Sequence, residues 1–295
     1  MKVLITGGSG LIGKALSKKL LSEGHEVNIL TRNVKNSSSV KEFHWDKTSV
    51  DPKAFEGVET IVHLAGAGIA DKHWTNQRKK EIIDSRVDTL KLIQENYKGD
   101  SLKAIIGGSA IGFYGGDTGD IENNEDSEAG EDFMADCCEK WEKAEDDFAK
   151  KFELRVVKIR TGVVLDKNDG ALPKIINPIK YYAGAAFGSG KQWMSWIHID
   201  DMVEIFFQSI INPNIETIIN GVAPYPVTNQ EFTKTAAQVL GKKILLPNIP
   251  SFILKMILGE MSVVILGSSK VINKQISPIK FKFETLDKAL QNLLG

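Results

Sequence analysis

Residues 3–13 read Val-Leu-Ile-Thr-Gly-Gly-Ser-Gly-Leu-Ile-Gly. A short apolar run ends at Thr6 and an amphipathic run starts near Leu11, so Gly7, Ser9, Gly10, Leu11, Ile12 and Gly13 fall on a strand–turn–helix junction. A tight turn needs Gly7. A pyrophosphate can approach the backbone at Gly10 only where no Cβ intervenes, and Gly13 lets the helix pack close to the sheet. The helix N-terminus adds unpaired N–H groups and the positive end of its dipole. In this context the glycines read as a phosphate cradle.

The spacing Gly-x-x-Gly-x-x-Gly resembles the extended short-chain dehydrogenase/reductase superfamily of the epimerase/dehydratase type. That resemblance implies a nicotinamide dinucleotide cofactor. The second strand ends Leu30-Thr31-Arg32-Asn33, with no acid to bond the adenosine ribose hydroxyls. A guanidinium suits a 2′-phosphate by charge and fork geometry, so Thr31 and Arg32 point to NADP(H). Trp45-Asp46 follows the next short strand, where the superfamily often places an Asp near adenine. His63-Leu64-Ala65-Gly66-Ala67 ends the fourth strand. The small residues there would let the backbone pass along the nicotinamide ribose and diphosphate, with His63 packed under the sheet or bonding the backbone. The expected cofactor contacts are therefore Gly7, Ser9, Gly10, Leu11, Ile12, Gly13, Thr31, Arg32, Trp45, Asp46, Leu64, Ala65, Gly66 and Ala67.

The resemblance also implies a Tyr-x-x-x-Lys pair and a serine for hydride transfer. Four residues after Tyr97, Tyr114, Tyr181, Tyr182 and Tyr225 stand Ser101, Thr118, Ala185, Ala186 and Asn229. The pair is absent. Gly108-Ser109-Ala110-Ile111-Gly112-Phe113-Tyr114-Gly115 resembles the serine-bearing strand end followed by Tyr-Gly, which makes Ser109 the candidate for holding a substrate carbonyl or hydroxyl. Tyr114 and His198, the latter in Ser195-Trp196-Ile197-His198-Ile199-Asp200-Asp201, are the remaining catalytic candidates. Asp200 or Asp201 would cap the helix that follows. The helix that should carry the missing pair has Cys137 and Trp141 near the matching positions. Core packing of Phe133, Cys137, Trp141, Ala144 and Phe148 accounts for their spacing.

Further segments narrow the resemblance to one atypical subgroup, the epimerase-family group labelled cell-division-inhibitor homologues, with its own C-terminal domain. They include Ala65-Gly66-Ala67-Gly68-Ile69 with Trp74, the Ser85-Arg86 pair, Trp141-Glu142, and Gln192 through Asp201. Asn220-Gly221-Val222-Ala223-Pro224, Leu258-Gly259-Glu260 and Phe281-Lys282-Phe283 continue it. Members look like cofactor binders without the usual catalytic residues.

The elements that must position these residues alternate. Strands are expected over 3–6, 27–31, 60–64, 104–106 and 155–159, and helices over 11–22, 75–97, 132–151 and 200–211. Alternation of this kind implies βαβ units. The expected fold is α/β, a Rossmann-type doubly wound parallel sheet with a smaller, less regular C-terminal substrate lobe. The pattern changes after about residue 165, with Pro52 the only one of the 9 prolines before it. The division expected is an NADP-binding domain at 1–165, joined by about 192–225, and a lobe at 166–295 holding a family-specific domain at about 243–291.

Composition sets the remaining bounds. The chain has 295 residues, 42% hydrophobic and 25% charged, which is ordinary for a globular protein. A formal charge of -1, from 37 Lys+Arg and 38 Asp+Glu, argues against a nucleic-acid binder. That balance conceals eight acids and no cation between Asp117 and Asp132, and eight lysines against three acids from Lys242 onward. The readings are a pair of solvated surfaces, two segments that face each other, or acids that guard a site entrance. Cys137 and Cys138 are adjacent, which suits neither a structural disulfide nor a zinc site, and a reducing cytoplasmic location is expected. The longest apolar stretch, 249–266, is broken by Pro250, Lys255, Gly259 and Glu260, short of the about 20 residues that span a membrane. It reads instead as core, partner surface or homodimer contact. Two functions follow. One is an NADP(H)-binding oxidoreductase or epimerase-like protein acting on an unknown small carbonyl or hydroxyl substrate. The alternative is a non-catalytic NADP(H)-binding sensor or scaffold.

Overall fold

Strand β1 (Lys2–Thr6) alternates its side chains between two apolar layers, Val3 and Ile5 to one and Leu4 to the other. Such a strand must be covered on both faces, and the rest of the fold supplies the cover. The computed structural model describes residues 1–35, 40–215, 218–274 and 279–295; Pro278 lies outside them. In chain order β1 is followed by α1 (Leu11–Ser22), β2 (Glu26–Thr31), β3 (Lys41–His44), β4 (Thr60–His63), α2 (Asn76–Asn96) and β5 (Ala104–Ala110). Then come β6 (Glu122–Asn123), α3 (Phe133–Phe152), β7 (Arg155–Thr161), β8 (Val163–Leu165), α4 (Leu172–Lys180), β9 (Trp193–Met194) and β10 (Trp196–His198). The remainder is α5 (Ile199–Ile211), β11 (Ile218–Gly221), β12 (Val227–Thr228), α6 (Asn229–Val239), α7 (Ser251–Leu258), α8 (Val263–Leu266), β13 (Lys270–Val271) and α9 (Leu286–Leu294).

Seven strands form one parallel sheet in the order β11-β7-β5-β4-β1-β2-β3. The order reverses at β1 and β4, and in open α/β sheets ligands bind in the crevice at that point, outside the carboxyl ends of the strands. Leu16 and Leu20 of α1 and Met202 and Phe206 of α5 cover one face; Leu90 and Ile93 of α2 and Phe148 of α3 cover the other. This is the expected doubly wound α/β fold. A third core of Leu172, Ile176, Trp196, Phe232 and Leu290 joins α4, α6 and α9 beside the sheet. Among the described residues no helix is long and apolar enough to cross a membrane.

The helix starts follow from local chemistry. Thr75 caps α2 through its side chain, and Asp132 caps α3 by accepting from Met134 and Ala135 N–H. The start of α5 differs from expectation. His198, not Asp200 or Asp201, is the cap, and its Nδ1 accepts from Asp200 N–H at 3.0 Å. Asp201 is buried and accepts instead from the N–H groups of Lys282 at 2.7 Å and Phe283 at 3.0 Å. Its carboxylate holds the approach to α9, a contact 81 and 82 residues away that no local rule can see.

The acidic and lysine-rich segments face each other. β6 pairs with β13, Lys270 meets Glu122 at 3.0 Å, and Lys274 bonds Asp126. Ser268 and Thr118 add backbone bonds across the same seam.

Candidate active site at the strand ends

The glycine loop lies at the carboxyl end of β1. Gly7 has φ +71°, and a Cβ there would stand 2.7 Å from the backbone carbon and oxygen of Leu64. The turn and the loop after β4 therefore touch through backbone alone. A Cβ on Gly13 would come within 2.5 Å of Gly7 O, so this glycine accommodates the turn itself rather than only the sheet. Gly8 lies against Ile29 of β2 in the same way. Ser9 and Gly10 are exposed, and Leu11 and Ile12 are half-buried against the core. Gly10 is the helix cap and contributes no side chain, so among the described residues the start of α1 has no side-chain cap. Substituting Gly7→Ala should cost about 1–3 kcal/mol, from the positive φ and the displaced Leu64 backbone together. Urea unfolding checks this, and an unchanged midpoint would refute it.

Arg32 is exposed at the end of β2, and no carboxylate pairs with it among the described residues. Thr31 is half-buried, and its hydroxyl accepts from Asn33 N–H at 3.2 Å. Trp45 bridges to Val50 and packs on the core. Asp46 anchors its own turn. Its Oδ1 accepts from Thr48 N–H and hydroxyl, both at 2.8 Å, and from Ser49 N–H at 2.9 Å. The Thr48 N–H and these other donors hold the carboxyl down at about 2.

The loop after β4 is fastened on both sides. Thr6 Oγ1 accepts from Leu64 and Ala65 N–H, both at 3.1 Å. Its one proton then goes to His63 Nδ1 at 2.9 Å, which assigns the ring proton to Nε2, donating to Arg86 O at 3.1 Å. Burial drops His63 to about 3, so it is neutral. From α2, Ser85 Oγ accepts from Ala67 N–H at 2.8 Å, and Arg86 Nη1 donates to Ala67 O at 3.2 Å. Arg78 Nη2 donates to Gly68 O at 2.6 Å. Ala65 is buried, Leu64 and Ala67 half-buried, and Gly66 exposed.

The three catalytic candidates are all buried, Ser109 at the end of β5 at 1%, Tyr114 just beyond it at 4% and His198 at the end of β10 at 1% exposure. Ser109 Oγ donates to Glu142 Oε1 at 2.7 Å. Glu142 is bidentate to Arg160, at 2.8 and 2.9 Å. Arg160 Nη1 donates to the Tyr114 hydroxyl at 3.0 Å, and that hydroxyl donates to Asn220 Oδ1 at 2.8 Å. The Arg160 guanidinium also lies 3.3 Å from the Phe113 ring centroid. Burial pushes the Tyr114 phenol up. The structure thus joins Ser109 and Tyr114 in one network and leaves His198 outside it. His198 stacks on Phe283 at 3.9 Å, with Nε2 toward Asn292 Oδ1 at 3.2 Å, and burial lowers its pKa. Cys137 and Cys138 are buried, and burial raises both thiols, Cys138 to about 12.

Sequence reasoning gave no role to Glu142, Arg160, Asn220, Arg78 or Arg86. The available signal was charge on a core face. The buried stripe of α3 takes in Glu142 and Glu145 together with Cys137, Cys138, Trp141 and Phe148, while Phe133 and Ala144 are only half-buried.

Residues 3–220 match the NAD dependent epimerase/dehydratase family, and residues 249–293 match a domain of unknown function, DUF1731. An Arabidopsis thaliana protein named epimerase family protein SDR39U1 homolog, chloroplastic, is 33% identical over 96% of this chain and 83% of its own length. The Bacillus subtilis epimerase family protein YfhF is 32% identical over 100% of this chain and 98% of its own. The crystal structure of human epimerase family protein SDR39U1 (isoform 2) with NADPH superposes with a TM-score of 0.88 at 30% identity, covering 99% of each chain. With a glycine cradle at the β1–α1 turn, a doubly wound sheet and full-length relatives of one kind, the chain belongs to the NAD dependent epimerase/dehydratase family.

Proposed function

We propose that this chain binds NADP(H) and is built to hold the dinucleotide rather than to move protons. The start of α1 carries the cofactor reading: Gly10 is exposed there, and among the described residues no side chain caps the helix, so its N-terminal N–H groups and dipole suit a phosphate. Gly7, Ser9, Gly10, Leu11, Ile12 and Gly13 would take the diphosphate. Thr31 and Arg32 would take the 2′-phosphate, and Leu64 to Ala67 the nicotinamide side. Asp46 is committed to its turn, so it and Trp45 would border the adenine without changing charge. The full-length likeness to human SDR39U1, crystallised with NADPH, supports this reading. When bound, NADP(H) supplies hydride chemistry; the chain's own part is binding and orientation.

The second half of the proposal rests on the commitments of the polar groups. Ser109 spends its proton on Glu142, the Tyr114 hydroxyl is bonded on both sides, His198 is a helix cap, and both thiols are raised. A sensor or scaffold reading follows, with residues 1–165 and about 192–225 holding the cofactor and the lobe containing about 243–291 reporting on it.

Two measurements test this. Arg32→Ala should weaken NADPH binding about tenfold or more and leave NADH unchanged, from the loss of one charge-assisted phosphate contact. An unchanged NADPH/NADH ratio would remove Arg32 from the site. NADPH oxidation with a panel of small carbonyl compounds should show no turnover. Turnover that is lost in Ser109→Ala would replace the sensor with an oxidoreductase or epimerase-like enzyme.

A further inference from the structure

Arg86 projects from α2 beneath the loop after β4. A Cβ on Gly66 would stand 2.9 Å from its Cζ, so the exposed loop crosses directly over the guanidinium. Nη1 is bonded to the carbonyl oxygens of Ala67 and Ile82, at 3.2 and 2.7 Å, and Cζ lies 4.6 Å from the Trp141 ring centroid. Nε is buried and has no hydrogen-bond partner among the described residues. Every one of these neighbours is neutral.

No carboxylate among the described residues forms an ion pair with Arg86, although the surrounding elements carry several. Arg78 has Glu81 at 2.8 Å and Asp71 at 3.8 Å. On α3, Glu142 is taken by Arg160. Lys79 of α2 is paired with Glu260. The groups that bear on the charge of Arg86 are the thiols of Cys137 and Cys138 and the like-charged Arg78. Both thiols stay protonated near neutral pH because burial raises them. A guanidinium does not shed its proton in a protein. The loop therefore overlies a fixed positive charge that no side chain among the described residues pairs with.

The strand order says which half of a dinucleotide meets that charge. Arg32 ends β2, on one side of the β1–β4 switch point, and Arg86 underlies the end of β4, on the other. If the 2′-phosphate half lies toward Arg32, the nicotinamide half lies toward Arg86. The oxidised nicotinamide ring carries a positive charge and the reduced ring is neutral. From this placement we infer that Arg86 makes the site discriminate by oxidation state, holding NADPH more tightly than NADP⁺ through like-charge repulsion of the oxidised ring. The inference rests on the NADP(H) reading and gives the sensor the variable it reads.

The test is the ratio of dissociation constants for NADP⁺ and NADPH, taken by calorimetry on the full chain, for wild type, Arg86→Gln, Arg86→Lys and Ser85→Ala. Wild type should prefer NADPH on the order of tenfold, the scale of one buried charge at moderate separation. Arg86→Gln should compress that ratio about fivefold, and Arg86→Lys should keep most of it. Ser85→Ala loosens the same loop at Ala67 without altering charge, so it should move both constants together and leave the ratio intact. Equal affinities in wild type overturn the inference whatever the variants do. So does an unchanged ratio in Arg86→Gln, or equal compression in Ser85→Ala. A folded wild type that binds neither nucleotide fails the NADP(H) reading itself, a result recognisably different from binding both equally.

Discussion

Glu142→Ala should lower the stability of the folded protein by about 3–5 kcal/mol, the usual cost of removing one partner from a buried ion pair. The carboxylate is 7% exposed and its partner Arg160 only 2%. Removing it leaves the Arg160 guanidinium buried without a counter-charge, stacked on Phe113 and bonded only to the Tyr114 hydroxyl. Ser109 loses its acceptor at the same moment. Replacing both charges, as Glu142→Met with Arg160→Met, should recover a large part of the loss, because no charge is then left buried alone. Urea unfolding of wild type, Glu142→Ala and the double variant checks both statements. A single-variant loss below about 1 kcal/mol, the scale of an exposed pair, would mean that the pair is solvated in solution.

Glu145→Met should act in the opposite direction and stabilise the protein by about 1–3 kcal/mol at pH 8, the scale of an unsatisfied buried polar group. Glu145 lies one turn beyond Glu142 on the same helix and is fully buried, yet among the described residues neither carboxyl oxygen has a hydrogen-bond partner of normal geometry. It lies against Gly107 of β5, and the neighbouring Trp141 Nε1 faces it without a hydrogen bond of normal geometry, favouring the charged form only weakly. Burial raises its pKa well above the usual value, with the charge of Glu142 adding to the effect. The sign follows. Below about pH 4.5 the carboxyl is protonated folded or unfolded, and its contribution to stability is fully present. As pH rises, the unfolded chain releases the proton that the folded chain keeps, and stability falls until the folded carboxyl itself ionises. The advantage of Glu145→Met should therefore widen with pH from about 4.5 upward. Methionine suits the site because it is unbranched and can follow the path along Gly107. Unfolding midpoints at pH 5 and pH 8 decide it. A variant that is destabilised, or whose advantage does not grow with pH, would show that Glu145 is paired or hydrated in solution.

These two glutamates also mark where the sequence ceased to be legible. The sheet was readable because its strands are apolar on both faces and its helices carry apolar stripes, and periodicity reports both. The cradle was readable because Gly7, Gly10 and Gly13 are local, within one turn of chain. Periodicity treats Glu142 and Glu145 as solvent-facing, since burial of a carboxyl depends on what stands across from it. For Glu142 that is Arg160, 18 residues on and one strand away. For Glu145 it is the missing side chain of Gly107. The start of α5 shows the same limit. Two aspartates in the first turn looked like the cap by type, and a histidine served because Asp201 was needed by the backbone of Lys282 and Phe283. The resemblance correctly located Ser109 at a strand end. That its hydroxyl proton goes to Glu142 could be known only from the packing of α3 on β5.

The seam between β6 and β13 has a consequence for the order in which the molecule assembles. Ser268 reaches Asp117 and Gly119, and Lys274 N–H reaches Glu125, across 149 to 151 residues of intervening chain. Glu125 in turn accepts from the Asn220 N–H beside the Tyr114 network. During synthesis the central sheet has all its strands before residues 268–274 exist, so Asp117, Glu122 and Asp126 lack the partners that the seam later gives them. Contacts of such long range are among the slow ones in folding. The closing of this seam is therefore a late event, and the Tyr114–Asn220 cluster is completed only when it closes.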